Sequence, residues 1–327
     1  MKGPSVSVVI PAYRAEATLP ALLASLAAGQ QRPDEVVVAD DGTPGFALPP
    51  SAGLPVRALS LPHGGPIAAR NAGWRATTGE WVAFLDSDCS VTPGWCAALR
   101  AAAAAHPEAA ILEGPLRESY RGRFFRHWAE NLRPGRYPTA NVAYRRAVLE
   151  AVGGLDPAFR WGRFYFREDS DLALRALAHG SAVWVEGARV DHHGRPLGFR
   201  RKLLEACRYA LDPTLVARHG WNGVRVDGLR LRGLVLPAPR QASAWAVVLL
   251  LLGGLLAPPL LPLAAAAWLA RVLFVVGREG FLPAEIPLIL AEQALEPFVL
   301  VAALVAGSGR LLRTPVPPER VRVAHVD

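Results

Sequence analysis

Short apolar runs alternate with amphipathic segments along the first quarter of the chain. Runs of β-branched and aromatic residues predict strands, and leucines that recur on one side of a segment, such as Leu19, Leu22 and Leu26, predict helices between them. The predicted strands are 5–10, 35–39, 56–61 and 81–85, and the predicted helices are 19–28 and 67–76. Strands that alternate with helices indicate an α/β domain with a mainly parallel central sheet. Its ligand is expected beyond the carboxyl ends of the strands.

The last quarter of the chain is apolar enough to enter a membrane. From Gln241 to Ala270 no residue carries a charge. About 20 apolar residues suffice to cross a bilayer, so we predict a transmembrane segment at about 242–270, with a buried core helix as the alternative. Three prolines within it would either kink one helix or turn a tight hairpin, namely Pro258, Pro259 and Pro262.

A second apolar stretch at 286–306 is long enough to cross but carries Glu292 and Glu296. Because charges are costly at the middle of a bilayer, this stretch is either a weaker span or lies partly in the interface. Arginines precede the first stretch and follow the second, which favours two crossings with both ends in the cytoplasm. Arg271 and Arg278 lie between the two stretches and weaken that inference. We expect the cell (inner) membrane, with the first domain facing the cytoplasm and no secretory signal before it.

These patterns predict three regions. We expect an α/β domain at 1–215, with a first half at about 1–115 and a second half at about 116–215. A basic linker at 216–240 then leads to a membrane region at 241–327, which ends in a short basic tail.

The chain is basic, with a formal net charge of +8, and much of the excess lies between Arg195 and Arg240. Within it, Phe199–Leu211 repeats an apolar residue every four positions and carries basic residues on its other faces. That pattern is typical of a helix on an anionic membrane surface. The alternative is a solvated helix that packs its apolar side on the domain. Either interpretation accounts for the basic charge of the chain without a nucleic-acid partner. The three cysteines are expected to be free thiols.

Acidic residues follow the last predicted strand of the first half. Asp86 and Asp88 are two positions apart, so in an extended stretch both side chains point the same way and repel each other unless a cation is near. Hard divalent ions such as Mg²⁺ or Mn²⁺ accept oxygen ligands of this kind. Arg70, on the helix just upstream, is suited to hold a pyrophosphate or to make a surface ion pair. The sequence contains no dinucleotide-binding or P-loop glycine motif, which disfavours oxidoreductases and P-loop nucleotidases.

Four motifs in order give the first half a strong resemblance to the family 2 glycosyltransferases of GT-A fold. They are Ser7–Tyr13, Val38–Thr43, Ala69–Gly73 and Phe84–Asp88. Downstream segments resemble the same family, including its acceptor-side segment, its "ED" motif and its late histidine. These are Thr139–Arg146 with Gly153–Asp156, Arg167–Leu172, and Val190–His193. The resemblance covers roughly residues 5–210, and membrane tails of this kind also occur in the family.

The resemblance implies that the first half, at about 1–115, is a donor half and that the second, at about 116–215, is an acceptor half. The donor half would bind a nucleotide-diphosphate sugar, most simply a UDP-sugar, with Mg²⁺ or Mn²⁺ as cofactor. Arg70 would approach the diphosphate, and Asp88 would be the metal ligand nearest the ion, with Asp86 beside it. His192 is favoured over His193 for a late metal or phosphate contact. The residues expected at the base and ribose are Pro11, Ala12, Tyr13, Asp40 and Asp41.

The resemblance also implies that Asp169 is the catalytic base of an inverting transfer to a hydroxyl of a glycan or a lipid-linked acceptor. Asn141, Trp161 and Glu168 are expected on the acceptor side. Charges next to Asp169 would raise its pKa, although the same acidic run is typical of a helix start. For Trp161 and its aromatic neighbours core packing is an equal alternative. We assign no role to His106, His127, His179 or His219.

Two other functions stay open. A polyprenyl-phosphate glycosyltransferase has an acceptor that is already an anion, so it would tolerate Asp169→Asn. A basic membrane-associated binding protein with a vestigial nucleotide-sugar site would bind polyanions in a salt-sensitive way without turnover.

Overall fold

The protein's structure, a computed structural model, describes residues 3–51, 53–119, 124–127, 129–220, 229–231, 234–236 and 239–313. The predicted linker at 216–240 is therefore described only in part. The predicted basic tail beyond residue 313 lies outside the described residues.

A seven-stranded mixed sheet forms the centre of the N-terminal domain, with the strand order β11-β6-β8-β4-β1-β2-β3. Every neighbouring pair is parallel except those of β8, which runs antiparallel to β4 and β6. The prediction of a mainly parallel α/β sheet is therefore confirmed. The seven strands are β1 Val6–Ala12, β2 Glu35–Asp40, β3 Val56–Ser60, β4 Trp81–Phe84, β6 Ala109–Glu113, β8 Val142–Arg145 and β11 Ser181–Trp184.

Helices cover both faces of this sheet and create two apolar cores. One face buries the leucines of the first helix and the other buries Trp74, Phe84 and Tyr144. Gly73 permits the close approach on the second face, because a Cβ there would lie 2.4 Å from Cγ1 of Val9. The covering helices are α1 Leu19–Ala27, α2 Pro66–Ala76, α3 Trp95–Ala105, α4 Arg146–Val152 and α5 Glu168–Ala176.

Two smaller strand groups flank the carboxyl edge of the main sheet. In the first, β12 (Val190–His192) pairs with β5 (Cys89–Val91) and β7 (Leu116–Glu118), which brings the late histidine beside the segment after β4. In the second, β9 (Arg160–Trp161) and β10 (Phe164–Tyr165) form a hairpin just before α5.

The basic segment after β12 packs on the protein. It forms α6 (Phe199–Leu204), a 3₁₀ helix (Glu205–Leu211) and α7 (Asp212–His219). Ala206 and Tyr209 of the 3₁₀ helix share an apolar cluster with Leu300 of the C-terminal helix. The predicted single helix at 199–211 is therefore wrong, and its apolar residues cover protein, as in the second interpretation of that pattern.

Three apolar helices follow a short β13–β14 hairpin (Leu229–Leu231 and Leu234–Leu236): α8 Pro239–Leu256, α9 Leu261–Glu279 and α10 Ile286–Arg313. Arg271 of α9 donates hydrogen bonds to the Arg240 carbonyl and Ser243 of α8, so α8 and α9 form an antiparallel hairpin. The stretch predicted as one span at 242–270 is thus broken at the prolines, the tight-hairpin alternative.

Length and composition single out two of these helical stretches as able to cross a membrane. They are Pro258–Gly277, with a mean hydropathy of 2.0, and Pro283–Leu312, with 1.9. Arg240–Leu256 is apolar but shorter. The glutamates that make the last stretch unusual are buried, and Glu296 pairs with Arg240 and Arg271.

The start of α5 is joined to α8 through one carboxylate, that of Asp212. Arg167, the residue before α5, has a left-handed backbone with φ 71°. Its Nε donates to Oδ1 of Asp212 at 2.7 Å, and Nε2 of Gln241 donates to the other oxygen of Asp212 at 2.9 Å.

A fully buried carboxylate, Asp171, fixes the rest of α5. It accepts hydrogen bonds from Arg175 at 2.8 Å and Arg218 at 2.9 Å, and Nε2 of His219 lies 2.8 Å away. Arg218 also bonds Asp156 at 2.7 Å. Burial raises the pKa of Asp171, but the bond to His219 and the two arginine charges outweigh burial and hold this pKa below its ordinary value.

We expect Asp171→Asn to lower the free energy of unfolding by about 3–5 kcal/mol, because buried Arg175 loses its counter-charge and Arg218 retains only Asp156. Denaturant titration measures this, with Glu186→Gln of the exposed Glu186–Arg189 pair as control, expected within about 0.5 kcal/mol of wild type. Because the pKa is lowered, the contribution of Asp171 is present at neutral pH and is lost on acidification below about pH 4. An Asp171→Asn loss as small as that of the control would contradict the assigned role.

Candidate active site

Loops at the carboxyl ends of β1, β2 and β4 enclose a cavity of about 430 Å³, here called the donor cavity. Parallel strands place these loops at one edge, as the sequence predicts. Among its lining residues are eight of the nine predicted for donor or metal binding: Pro11, Ala12, Tyr13, Asp41, Arg70, Asp86, Asp88 and His192.

Asp41 organises one wall of the donor cavity. Its carboxylate accepts the backbone N–H groups of Gly64 at 2.7 Å and Gly65 at 2.9 Å, and Nδ1 of His63 lies 2.9 Å from it. Gly65 has φ 89°, and a Cβ there would lie 2.0 Å from the hydroxyl of Tyr165, so only glycine fits.

Tyr13 stands at the mouth of this wall, with an exposed fraction of 44%. Its ring stacks on His63 with centroids 4.5 Å apart. An exposed aromatic pair of this kind offers a flat surface to a nucleobase. Asp40, in contrast, is buried and accepts the N–H of Thr43 at 3.2 Å, so it shapes the loop from beneath and is not among the cavity's lining residues.

Arg70 lies at the centre of the site. Its Nη2 is 2.5 Å from Oδ1 of Asp86, and its Nη1 is 3.8 Å from Oε1 of Glu168. Its Nε is buried without a hydrogen-bond partner among the described residues. One guanidinium thus joins the carboxylates of the two halves and keeps a donor for an anionic ligand.

His192 of β12 lies beside Asp88, the residue that precedes the neighbouring strand β5. Its Nε2 is 3.5 Å from Oδ1 of Asp88, and its Nδ1 is 3.1 Å from Oε2 of buried Glu118. Burial lowers the pKa of His192, but the bond to Glu118 and the charges of Asp88 and Asp86 raise it overall. Burial, followed by repulsion from Asp86, raises the pKa of Asp88.

This arrangement suits a cation although it is not a closed metal site. In the part of the chain that the structure describes, no group of three metal-ligating side chains converges. A carboxylate on Nδ1 of a histidine orients Nε2 toward a metal, and a cation would relieve the repulsion between Asp86 and Asp88. Asp88 and His192 therefore fit a divalent ion, while Asp86 is held by Arg70.

A larger cavity of about 900 Å³, here called the arginine cavity, adjoins the donor cavity. Pro66, Arg70, His127, Arg163 and Tyr165 line both. Glu168 lines the arginine cavity, and burial followed by the charge of Asp169 raises its pKa to about 7. A carboxyl group with this pKa is suited to exchange a proton near neutral pH.

The other predicted acceptor residues lie in different surroundings. Asp169 is half-buried beside Glu168, and its Oδ1 accepts the N–H of Ser170 at 2.7 Å. Asn141 is buried and bonds Trp95, Pro115 and Ala188, so it supports the fold. Trp161 is half-buried in β9, with the guanidinium of Arg310 5.9 Å from its ring centroid.

Several residues that matter here have no sequence signal. Glu118 lies in a short strand without a motif, and it is found only because β7 pairs with β12. His127 and His219 were given no role, yet His127 lines both cavities and His219 bonds Asp171. The partners of these histidines are distant in sequence and come close only in the folded chain, so no sequence spacing identifies them.

Comparison with known proteins identifies the family. The family described as Glycosyl transferase family 2 matches residues 7–170. An "Uncharacterized glycosyltransferase" of Haemophilus influenzae is 25% identical over 190 residues, which are 54% of this chain and 63% of the relative. A "Pre-mycofactocin glycosyltransferase" of Mycobacterium tuberculosis (strain CDC 1551 / Oshkosh) is 30% identical over 217 residues, which are 58% of this chain and 43% of the relative. The chain thus spans less than two thirds of either relative.

Among solved structures, the chain resembles the mannosyltransferase PcManGT from Pyrobaculum calidifontis in complex with GDP-Man and Mn²⁺. The TM-score is 0.52 at 18% identity, over 97% of this chain and 89% of that one, a likeness of fold. The protein belongs to glycosyl transferase family 2 and has the GT-A fold. It is a glycosyltransferase, as the sequence motifs predict.

Proposed function

We propose that this protein is a membrane-anchored, metal-dependent, inverting glycosyltransferase. It transfers a sugar from a nucleotide-diphosphate donor, most simply a UDP-sugar, to a hydroxyl of a glycan or lipid-linked acceptor. The observation that carries this proposal is the meeting of two cavities at Arg70. Donor and acceptor would approach each other there, on either side of one guanidinium.

In this proposal the donor cavity holds the nucleotide. Tyr13 and His63 present the flat surface for the base, and Asp41 fixes the loop beneath it. Arg70 contacts the diphosphate through guanidinium N–H groups, including the buried Nε that has no partner among the described residues. The complex of the similar mannosyltransferase contains GDP-Man and Mn²⁺, which supports a nucleotide sugar as the ligand of this fold.

Asp88 and His192 would hold the divalent cation, with Asp86 nearby. A cation bound there neutralises the charge that develops on the leaving diphosphate. Glu118 keeps Nδ1 of His192 occupied, so that Nε2 is the nitrogen that faces Asp88.

The Glu168–Asp169 pair would supply the base. The acceptor oxygen attacks the anomeric carbon and gives its proton to a carboxylate, while the bond to the diphosphate breaks and its electron pair leaves with the nucleotide. A single displacement of this kind inverts the anomeric centre. The resemblance assigns the base to Asp169, whereas Glu168 is the member whose carboxyl group lines the arginine cavity.

The apolar helices support membrane attachment. Of the large hydrophobic side chains that are exposed, all but Tyr13, Leu132 and Val216 lie between Leu249 and Leu312. An exposed apolar surface of this extent is typical of a membrane contact. We propose the cell membrane, with the catalytic domain on the cytoplasmic side.

We expect one nucleotide sugar from a panel of UDP-, GDP- and dTDP-sugars to be turned over by membrane-reconstituted protein with Mn²⁺ or Mg²⁺ and not with EDTA. Asp88→Asn is expected to lower turnover by about 100-fold or more. Asp191→Asn is the matched control, because its side chain points to the opposite side of β12. Failure of the whole panel, by folded protein, would contradict the proposed activity.

The pH dependence separates the two carboxylates. Because the pKa of Glu168 is about 7 and a base must be ionised, we expect kcat/KM of the wild type to fall about tenfold per unit below that pH. Glu168→Gln should remove this acid limb of the pH profile and lower activity by about 10²–10⁴-fold. Asp169→Asn should keep the limb but move it to lower pH, because the charge of Asp169 contributes to the raised pKa of Glu168. The opposite pattern would assign the base to Asp169, and activity that survives both variants would indicate a phosphate acceptor.

A further inference from the structure

The arginine cavity has an unusual balance of charge. Six arginines line it, against two carboxylates, Glu168 and Glu205. They are Arg70, Arg163, Arg195, Arg200, Arg201 and Arg208. Glu205 lies 3.5 Å from Nδ1 of His127, so part of its charge is already matched. The cavity therefore keeps a large excess of positive charge.

Most of these arginines lack a carboxylate of the described residues at ion-pair distance, although the charge of Arg208 acts on Glu205 in the same cavity. Arg70 pairs with Asp86 and Glu168, but the other five make no ion pair within the described ranges. Arg208 is held between the rings of Phe166 and Tyr209, at 4.8 and 5.5 Å. Its Nε is buried and lacks a hydrogen-bond partner among the residues described. A buried donor without a partner is costly unless a ligand satisfies it.

The cavity also lies beside the apolar helices. Arg200, Arg201 and Leu204 of α6 line it. Phe199 of the same helix packs against Val275 of α9 and Ile289 of α10. Through α6 the arginine cavity thus adjoins the buried, protein-facing side of α9 and α10.

We propose that the arginine cavity binds the acceptor through a phosphate or diphosphate group carried by a lipid. Guanidinium groups bind phosphate oxygens in pairs and keep their charge at every working pH, which suits this ligand better than a neutral glycan. The position of α6 lets the lipid chain remain with the apolar helices while its head group reaches Arg70. This inference rests on the proposed glycosyltransferase function and specifies its acceptor.

Binding of farnesyl phosphate, farnesyl diphosphate and uncharged farnesol to the detergent-solubilised full chain tests it. We expect both phosphorylated lipids to bind at least tenfold more tightly than farnesol. Arg200→Gln with Arg201→Gln should weaken their binding at least tenfold and leave UDP binding unchanged. Arg189→Gln, an exposed arginine paired with Glu186, is the control and should match wild type.

Equal binding of farnesol and farnesyl phosphate would overturn the inference, as would unchanged binding by the double variant. Binding of inorganic pyrophosphate is measured as well. If pyrophosphate binds as tightly as farnesyl diphosphate, the cavity binds free anions and the lipid assignment is wrong. UDP binding and donor turnover are measured on the same samples. Failure of the acceptor assignment is therefore distinguishable from failure of the proposed activity.

A separate observation concerns how the helices meet the membrane. Helix α10 lies along the catalytic domain from end to end. Ile289 packs with Phe124, Leu300 packs with Tyr209, and Nη1 of Arg310 donates to the Arg160 carbonyl at 2.9 Å. From Ile289 to Arg310 an α-helix rises about 30 Å, which is the thickness of the hydrocarbon core.

The two sides of α10 differ accordingly. Its buried side includes the polar Glu292, Gln293 and Glu296, of which Glu296 pairs with Arg240 and Arg271 of the neighbouring helices, while Leu288, Phe298 and Val305 are exposed. If α10 crossed a bilayer, the basic surface beside it would enter the hydrocarbon, at a cost of several kcal/mol per charge. We infer that α8, α9 and α10 lie in one leaflet, with their exposed apolar side toward lipid. A protein–protein interface is typically surrounded by a polar rim. The run from Gln241 to Ala270 contains no charged residue, so its exposed side suits lipid better than a protein partner.

Cysteine labelling of protein bound to sealed phosphatidylglycerol–phosphatidylethanolamine vesicles tests the arrangement. Ala284→Cys and Ser308→Cys place exposed thiols at the two ends of α10, in a Cys207→Ala background that retains only buried Cys89 and Cys96. We expect an impermeant maleimide to label both equally in intact vesicles. Labelling of one alone until detergent is added would show that α10 crosses, and would overturn the inference.

Discussion

The buried charge of Asp171 is the constraint on which the acceptor side depends. Its carboxylate is out of contact with water and is matched by Arg175, Arg218 and His219. Arg175 also bonds the Gly154 carbonyl at 2.7 Å, so the cluster joins α5 to the preceding turn as well as to α7. Removing Asp171 would leave the buried charge of Arg175 unmatched. The first turn of α5 carries Glu168 and Asp169, so their position follows from this cluster.

A similar balance of charge governs the donor side. The charge of Asp41 is balanced by hydrogen bonds from backbone N–H groups, whereas the charges of Asp86 and Asp88 need nearby cations to balance them. Arg70 supplies one of those cations and at the same time approaches Glu168 from the other half. In the proposed function, donor binding and acceptor activation would therefore share one electrostatic centre, so that a change in the charge of either cavity would alter the pKa values in the other.

The donor half could be predicted from sequence because its signals are local. Each motif follows a strand within a few residues, and parallel pairing then brings Tyr13, Asp41 and Asp86 to one edge. The acceptor half could not be predicted in the same way. Asn141 resembles a site residue yet is buried, and Glu118 becomes relevant only through pairing between β7 and β12. The arginine cavity combines residues separated by more than a hundred positions, which no spacing rule detects.

The bond network of Asp212 has a mechanical consequence. Arg167, with its left-handed backbone, immediately precedes Glu168, and this conformation costs about 1–2 kcal/mol for a residue with a side chain. Asp212 holds Arg167 with one oxygen and Gln241 of the first apolar helix with the other. The N-terminal domain and the apolar helices are therefore not separable modules. In a chain cut before residue 239, the backbone at Arg167 could relax, and the carboxylate beside it would lose its orientation although it lies far from the cut.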